Sequence, residues 1–195
     1  MHALNLMPYR SAWPVAVALL LSLFPATAFA ESSDNCRLQV SNPVVDYGNV
    51  TRPELMKRQV SPLQMSVGKQ SVTLTAVCRR PVFMSLFFRG NAADTMSYRF
   101  GNAGSFSLTV SNAQLDGKAI NLGRIKVAGQ KPESVSHSAA LFPNEGVIAV
   151  INELPAKGNN LSLQIDIEAR IPTTANRITD QTIWRGNGTF ELMEN

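Results

Sequence analysis

Between residues 161 and 171 apolar and polar positions alternate without a break. Leu161, Leu163, Ile165, Ile167, Ala169 and Ile171 share one side, and Ser162, Gln164, Asp166, Glu168 and Arg170 share the other. A period of two is that of a strand with one buried face. Val72, Leu74 and Ala76 repeat the pattern against Thr73 and Thr75, and the same parity turns Cys78 inward. Cys36, Leu38 and Val40 line up likewise near the start, and Phe106, Leu108 and Val110 do so in mid-chain. Residues 82–88 and 147–151 are apolar on both faces, as in strands covered on two sides. Gly90-Asn91, Gly101-Asn102, Asp116-Gly117, Pro143-Asn144 and Gly158-Asn159 punctuate these runs as turns, with Asp116-Gly117 the best hairpin. A helical period is absent except for a short turn near residues 53–58. Short strands joined by such turns predict a single all-β sandwich.

The first thirty residues follow a different logic. Arg10 supplies a positive charge, residues 15–24 are an apolar run, and Ala28-Phe29-Ala30 places small residues before Glu31. This is the layout of a secretory signal peptide, removed after residue 30 to leave one domain over residues 31–195. The apolar run is too short for a comfortable membrane span. An exported chain with two cysteines, Cys36 and Cys78, is expected to join them as a disulfide. Both lie on inward strand faces. The bridge would close a loop of about 43 residues and stabilise the fold by roughly 4 kcal/mol.

Composition excludes more than it assigns. With 45% hydrophobic residues, 16% charged and a net charge of +4, the chain has enough apolar surface for a core and is no disordered tail. Its positive charge is dispersed in pairs such as Lys57-Arg58 and Arg79-Arg80, the pattern of solvated turns rather than of a nucleic-acid surface. His137 is the sole histidine after the leader, so zinc lacks ligands and no metal site is expected. No G-x-S-x-G elbow accompanies that histidine, and Gly101-Asn102-Ala103-Gly104 opens no helix, so neither a catalytic triad nor a phosphate loop is predicted. Asp166 and Glu168 share a strand face and have a spacing that could seat a sugar or a metal, although such acids usually mark the wet side of a strand. No catalytic residue and no cofactor is expected; the chain reads as a non-enzyme.

Several segments, taken in order, resemble the subunits of fimbriae assembled by the bacterial chaperone–usher pathway. They are Cys36, then Val45-Asp46-Tyr47-Gly48-Asn49-Val50, then residues 72–78 ending in Cys78. Leu115-Asp116-Gly117-Lys118-Ala119-Ile120-Asn121-Leu122-Gly123 is similar to a pilin hairpin, and residues 186–192 look like the pilin ending. The resemblance implies an incomplete immunoglobulin-like β-sandwich completed by donor-strand complementation. Its groove would be filled first by a periplasmic chaperone and then by the N-terminal strand of another fimbrial subunit, delivered at an outer-membrane usher. Phe190 and Leu192 would lie at the groove edge. The implied location is the periplasm and then the cell-surface fimbrium.

Two features depart from that pattern. The penultimate position, usually aromatic in the family, is Glu194, and cleavage after Ala30 leaves only the polar residues 31–35 before Cys36. Five residues reach at most about 17 Å and carry no apolar set to donate, which favours a minor or tip subunit contributing to cell adhesion. Two other readings follow from the same residues. One is a receptor- or glycan-binding adhesin in its own right, with Trp184 and Tyr98 as candidate contacts. The other is an exported β-sandwich unrelated to fimbriae.

Overall fold

The computed structural model describes residues 35–177 and 182–195. The leader at residues 1–30, its cleavage site and residues 31–34 of the short segment that follows lie outside the described residues. Thirteen strands run in order: β1 (Cys36–Val40), β2 (Gln59–Ser61), β3 (Gln64–Gly90), β4 (Tyr98–Phe100), β5 (Gly104–Leu115), β6 (Lys118–Ala119) and β7 (Asn121–Ile125), then β8 (Ser134–Ser136), β9 (Ala139–Ala140), β10 (Gly146–Ile151), β11 (Leu154–Pro155), β12 (Lys157–Pro172) and β13 (Gly188–Glu194). One helix, α1 (Arg52–Lys57), precedes β2, and a 3-10 turn (Thr173–Arg177) follows β12. The fold is all-β, as the alternation predicts. Helix α1 forms where the short helical turn is expected, with Pro53 in its first turn and the Glu54 carboxylate accepting the Thr51 backbone N–H at 2.8 Å.

The organising element is β3. Its first half pairs antiparallel with β1 on one side (Cys36 opposite Cys78) and with β12 on the other (Leu163 opposite Leu74). Its second half pairs with β10 and with β13, placing Leu192 opposite Leu86 and Phe190 opposite Phe88. The chain thus crosses from one sheet to the other without ending the strand. Sequence alone separates residues 72–78 from 82–88, because Arg79, Arg80 and Pro81 look like a break. They are instead the corner, where both halves of the ladder hold the backbone extended. β5 flanks β12 in the first sheet, and β7 flanks β10 in the second.

Inward side chains from both sheets form one core, including Leu74, Ala76, Met84, Leu86, Tyr98, Val110, Leu163 and Ile165. A smaller apolar cluster of Phe87, Ile125, Ile148 and Val150 sits apart from it, with Phe83 and Ala128 packed against it. Lys157 and Arg89 lie over the rings of Phe83 and Phe87 at 4.8 and 5.0 Å. These two clusters account for the doubly apolar runs in β3 and β10. Asp116-Gly117 makes the expected hairpin, with Leu115 opposite Lys118. Gly158-Asn159 does not make the expected turn; it is a bulge inside β12. Asp116 causes it, since its carboxylate accepts the backbone N–H groups of Asn159 and Asn160 at 3.0 and 2.8 Å. A side chain at Gly158 would also strike Leu115.

Cys36 and Cys78 are joined as a disulfide that ties β1, an edge strand, to β3. β1 is five residues long and has no other strand partner among the described residues, so the bridge carries much of its attachment. Replacing both cysteines by serine is expected to lower stability by roughly 3–4 kcal/mol in denaturant melts. In the native protein, mass spectrometry without reductant should find no free thiol.

On the outer face of the first sheet, Asp166 is surrounded by donors. Lys69 Nζ lies at 2.7 Å, Ser71 Oγ donates at 2.5 Å, and Gln164 Nε2 donates at 3.0 Å. These hydrogen bonds, Lys69 first, hold its carboxyl down at about 2 against an ordinary 3.8. A depressed carboxyl stabilises the fold above its unfolded value, and that contribution disappears as pH falls from about 4 through about 2. Lys69 is 61% exposed, so solvent screens the pair and the contribution is small. Urea melts at pH 5 and pH 2 should show a larger acid loss for the native protein than for Asp166→Asn.

Candidate functional site

Two of the sheet edges that lack a strand partner among the described residues, those of β1 and β13, lie side by side. One runs along β1 into residues 43–50, an extended stretch outside any strand. The other runs up β13 from its end and continues into residues 182–187, equally unassigned. Between the two extended stretches lies a cleft of about 1520 Å3. Its floor is apolar, made by Leu55, Val67, Phe100 and Ile171, with the Trp184 indole in the wall.

The backbone bordering this cleft is largely unpaired. Residues 43–50 make no backbone–backbone hydrogen bond among the described residues, and residues 182–187 make one, from Gly101 N–H to Arg185 O at 2.7 Å. Local side chains serve part of the need: Asn42 Oδ1 accepts from Val44 N–H at 3.2 Å, and Asp46 Oδ1 accepts from Gly48 N–H at 2.8 Å. Tyr47 anchors the stretch. Its hydroxyl donates to the Ile167 carbonyl at 2.8 Å, its ring stands edge-on to Phe100 at 6.3 Å, and its edge covers the hydrogen side of Gly68. Burial, helped by the Glu168 charge, pushes its hydroxyl up to about 12, so it stays a donor at any physiological pH. On the opposite wall Trp184 stacks on Phe100 at 6.2 Å and lies so close to Gly101 that a β-carbon there would overlap the indole. Both aromatic anchors therefore rest on glycines and share one phenyl ring.

Phe190 and Leu192 lie on β13, the edge strand, half-buried and turned against the core. The Phe190 ring meets Phe88 at 4.9 Å, and Phe88 in turn meets Tyr98 and Phe106. Tyr98 has no exposed surface; as a candidate ligand contact it is ruled out by its place in the core. Trp184 keeps partial exposure and lines the cleft. The paired acids of β12 hold no vacant site: Asp166 is served by Lys69, Ser71 and Gln164, and Glu168 is bound by Arg170 at 2.9 Å. His137 is exposed. Among the described residues, no three His, Cys, Asp or Glu side chains converge as a metal site would need.

Below the cleft, at the foot of the two edges, β1 and β13 touch through side chains. Glu194 Oε2 accepts from Asn35 Nδ2 at 2.9 Å and lies 3.5 Å from Cys36 Sγ. Asn35 is itself fixed to the corner of β3, its Oδ1 accepting from Arg80 N–H at 3.0 Å and its carbonyl from Arg79 N–H at 2.9 Å. The resemblance names Phe190 and Leu192, but the sequence does not bring Tyr47, Trp184 and this contact together as parts of one feature. The Val45–Tyr47–Gly48 spacing was the available signal for the first of these.

No family profile and no curated protein matches the chain. Among solved structures it is similar to the crystal structure of the P pilus rod subunit PapA, with a TM-score of 0.46 and 11% identity over 83% of this chain and 99% of that chain.

Proposed function

We propose that this chain is a fimbrial subunit that accepts a strand from a partner, first a periplasmic chaperone and then a neighbouring subunit at the usher. The carrying observation is the apolar-floored cleft of about 1520 Å3 between two extended, largely unpaired backbone stretches. A strand laid there would find main-chain partners on both sides and apolar pockets below, which are the two requirements of strand addition. Left empty, the same edges are an aggregation hazard. The function is structural, not enzymatic, and the protein is exported behind the leader at residues 1–30 to the periplasm and then to the cell surface. The polar residues 31–35 make a poor donor, so the subunit belongs at or near the fibre tip, where it contributes to adhesion.

Val67→Asp combined with Ile183→Asp puts two charges into the cleft, one on its floor and one on its wall, each a costly group to bury under a docked strand. The double variant should lose co-purification with a co-expressed periplasmic pilus chaperone, while the native chain retains it. Unchanged capture would count against strand acceptance. For the tip assignment, N-terminal sequencing of the exported protein should begin at Glu31, and immunogold label should mark fibre ends. Label along the whole shaft would refute it.

A further inference from the structure

The cleft and the edge strands differ in length, and that difference says what kind of strand fits. The unpaired edge of β13 runs on through Glu194, yet the cleft is walled only by residues 182–187 on that side. Below it, Phe190 closes against Phe88, and the Glu194 carboxylate bridges to Asn35, which is pinned to Arg79 and Arg80. Because Asn35 adjoins Cys36 and its disulfide to Cys78, the anchor on the β1 side cannot swing away.

Resting on the strand-acceptor reading above, we propose that the Glu194–Asn35 contact is a latch. It limits strand addition to the upper cleft and selects a short partner segment. Residues 182–187 offer six positions, and a facing strand of equal length spans about 20 Å. Such a segment would present two or three apolar side chains, at every second position, to Leu55, Val67, Phe100 and Ile171. A longer segment gains nothing unless the latch opens. Glu194 is thus the specificity-determining residue of the lower end, and an uncharged side chain there removes the carboxylate from Asn35 without touching the core, since Glu194 is exposed.

The test uses the exported protein and two synthetic peptides of alternating threonine and isoleucine, six and twelve residues long, each ended by a lysine pair for solubility. Binding is followed by fluorescence titration, and hydrogen exchange reads the amides of β13. In the native protein the two peptides should bind within about threefold of each other, leaving the lower β13 amides unprotected. In Glu194→Ala the longer peptide should gain about tenfold or more and protect β13 through its end. The latch is overturned if the native protein already prefers the longer peptide by that margin with protection to residue 194. It is equally overturned if Glu194→Ala leaves the two peptides equal. Binding of neither peptide to either protein overturns the strand-acceptor reading itself, and the latch with it.

Discussion

Everything in this molecule hangs on the main-chain ladder of β3. That strand serves both sheets, and each of its halves has two flanks to fill. β12 and β10 fill one flank and continue outward into β5 and β7, so their own free sides are paired in turn. β1 and β13 fill the other and continue into nothing among the described residues. Their unpaired edges therefore meet on the same side of the molecule and are tied at the foot by Glu194 and Asn35. The cleft is the geometric result of one strand crossing two sheets with its chain-terminal neighbours on the same flank.

This explains which parts could be read from the sequence. The alternation in β12, β5 and β1 reports only which way side chains point, and it does so correctly down to the inward cysteines. Helix α1 and the Asp116-Gly117 hairpin are local events, set by a proline, a capping acid and a turn pair, and they too were legible. The continuity of β3 was not. Arg79, Arg80 and Pro81 carry the chemistry of a turn, and only the pairing of both halves keeps them extended. The bulge at Gly158 was hidden for the same reason, since Asp116, more than forty residues away, imposes it. Phe190 and Leu192 are placed at a terminal strand edge by the resemblance and not by alternation. Whether that strand has one neighbour or two is a property of the whole sheet and leaves no mark in its residues.

A cleft with an apolar floor should tend to collapse, because its walls gain by closing on each other. What resists collapse here is the rigidity of the two walls. Tyr47 is held by a hydrogen bond into the backbone of β12 and by its fit over Gly68. Trp184 is held by Gly101 and by Phe100, which both rings share. A ring fixed from below cannot tilt into the space beside it without losing that contact, so the walls stay apart at the upper end. At the lower end no such pair exists. There Phe190 is free to lean on Phe88, and the edges are tied by a carboxylate and an amide.

The two ends thus balance opposite demands. An edge strand that is both long and open invites pairing with any exposed β-strand, including another copy of itself. Shortening the available edge reduces that risk in proportion to the backbone groups withdrawn, while a short, pre-shaped upper cleft keeps the contacts that discriminate a partner by its side chains. Glu194 serves the first purpose twice over, since it ties the foot and places a charge at the last position of the edge. An aromatic residue there would favour a partner running the full length of β13. The acid makes that pairing costly, so the chemistry of one residue sets how much of the edge a partner can use.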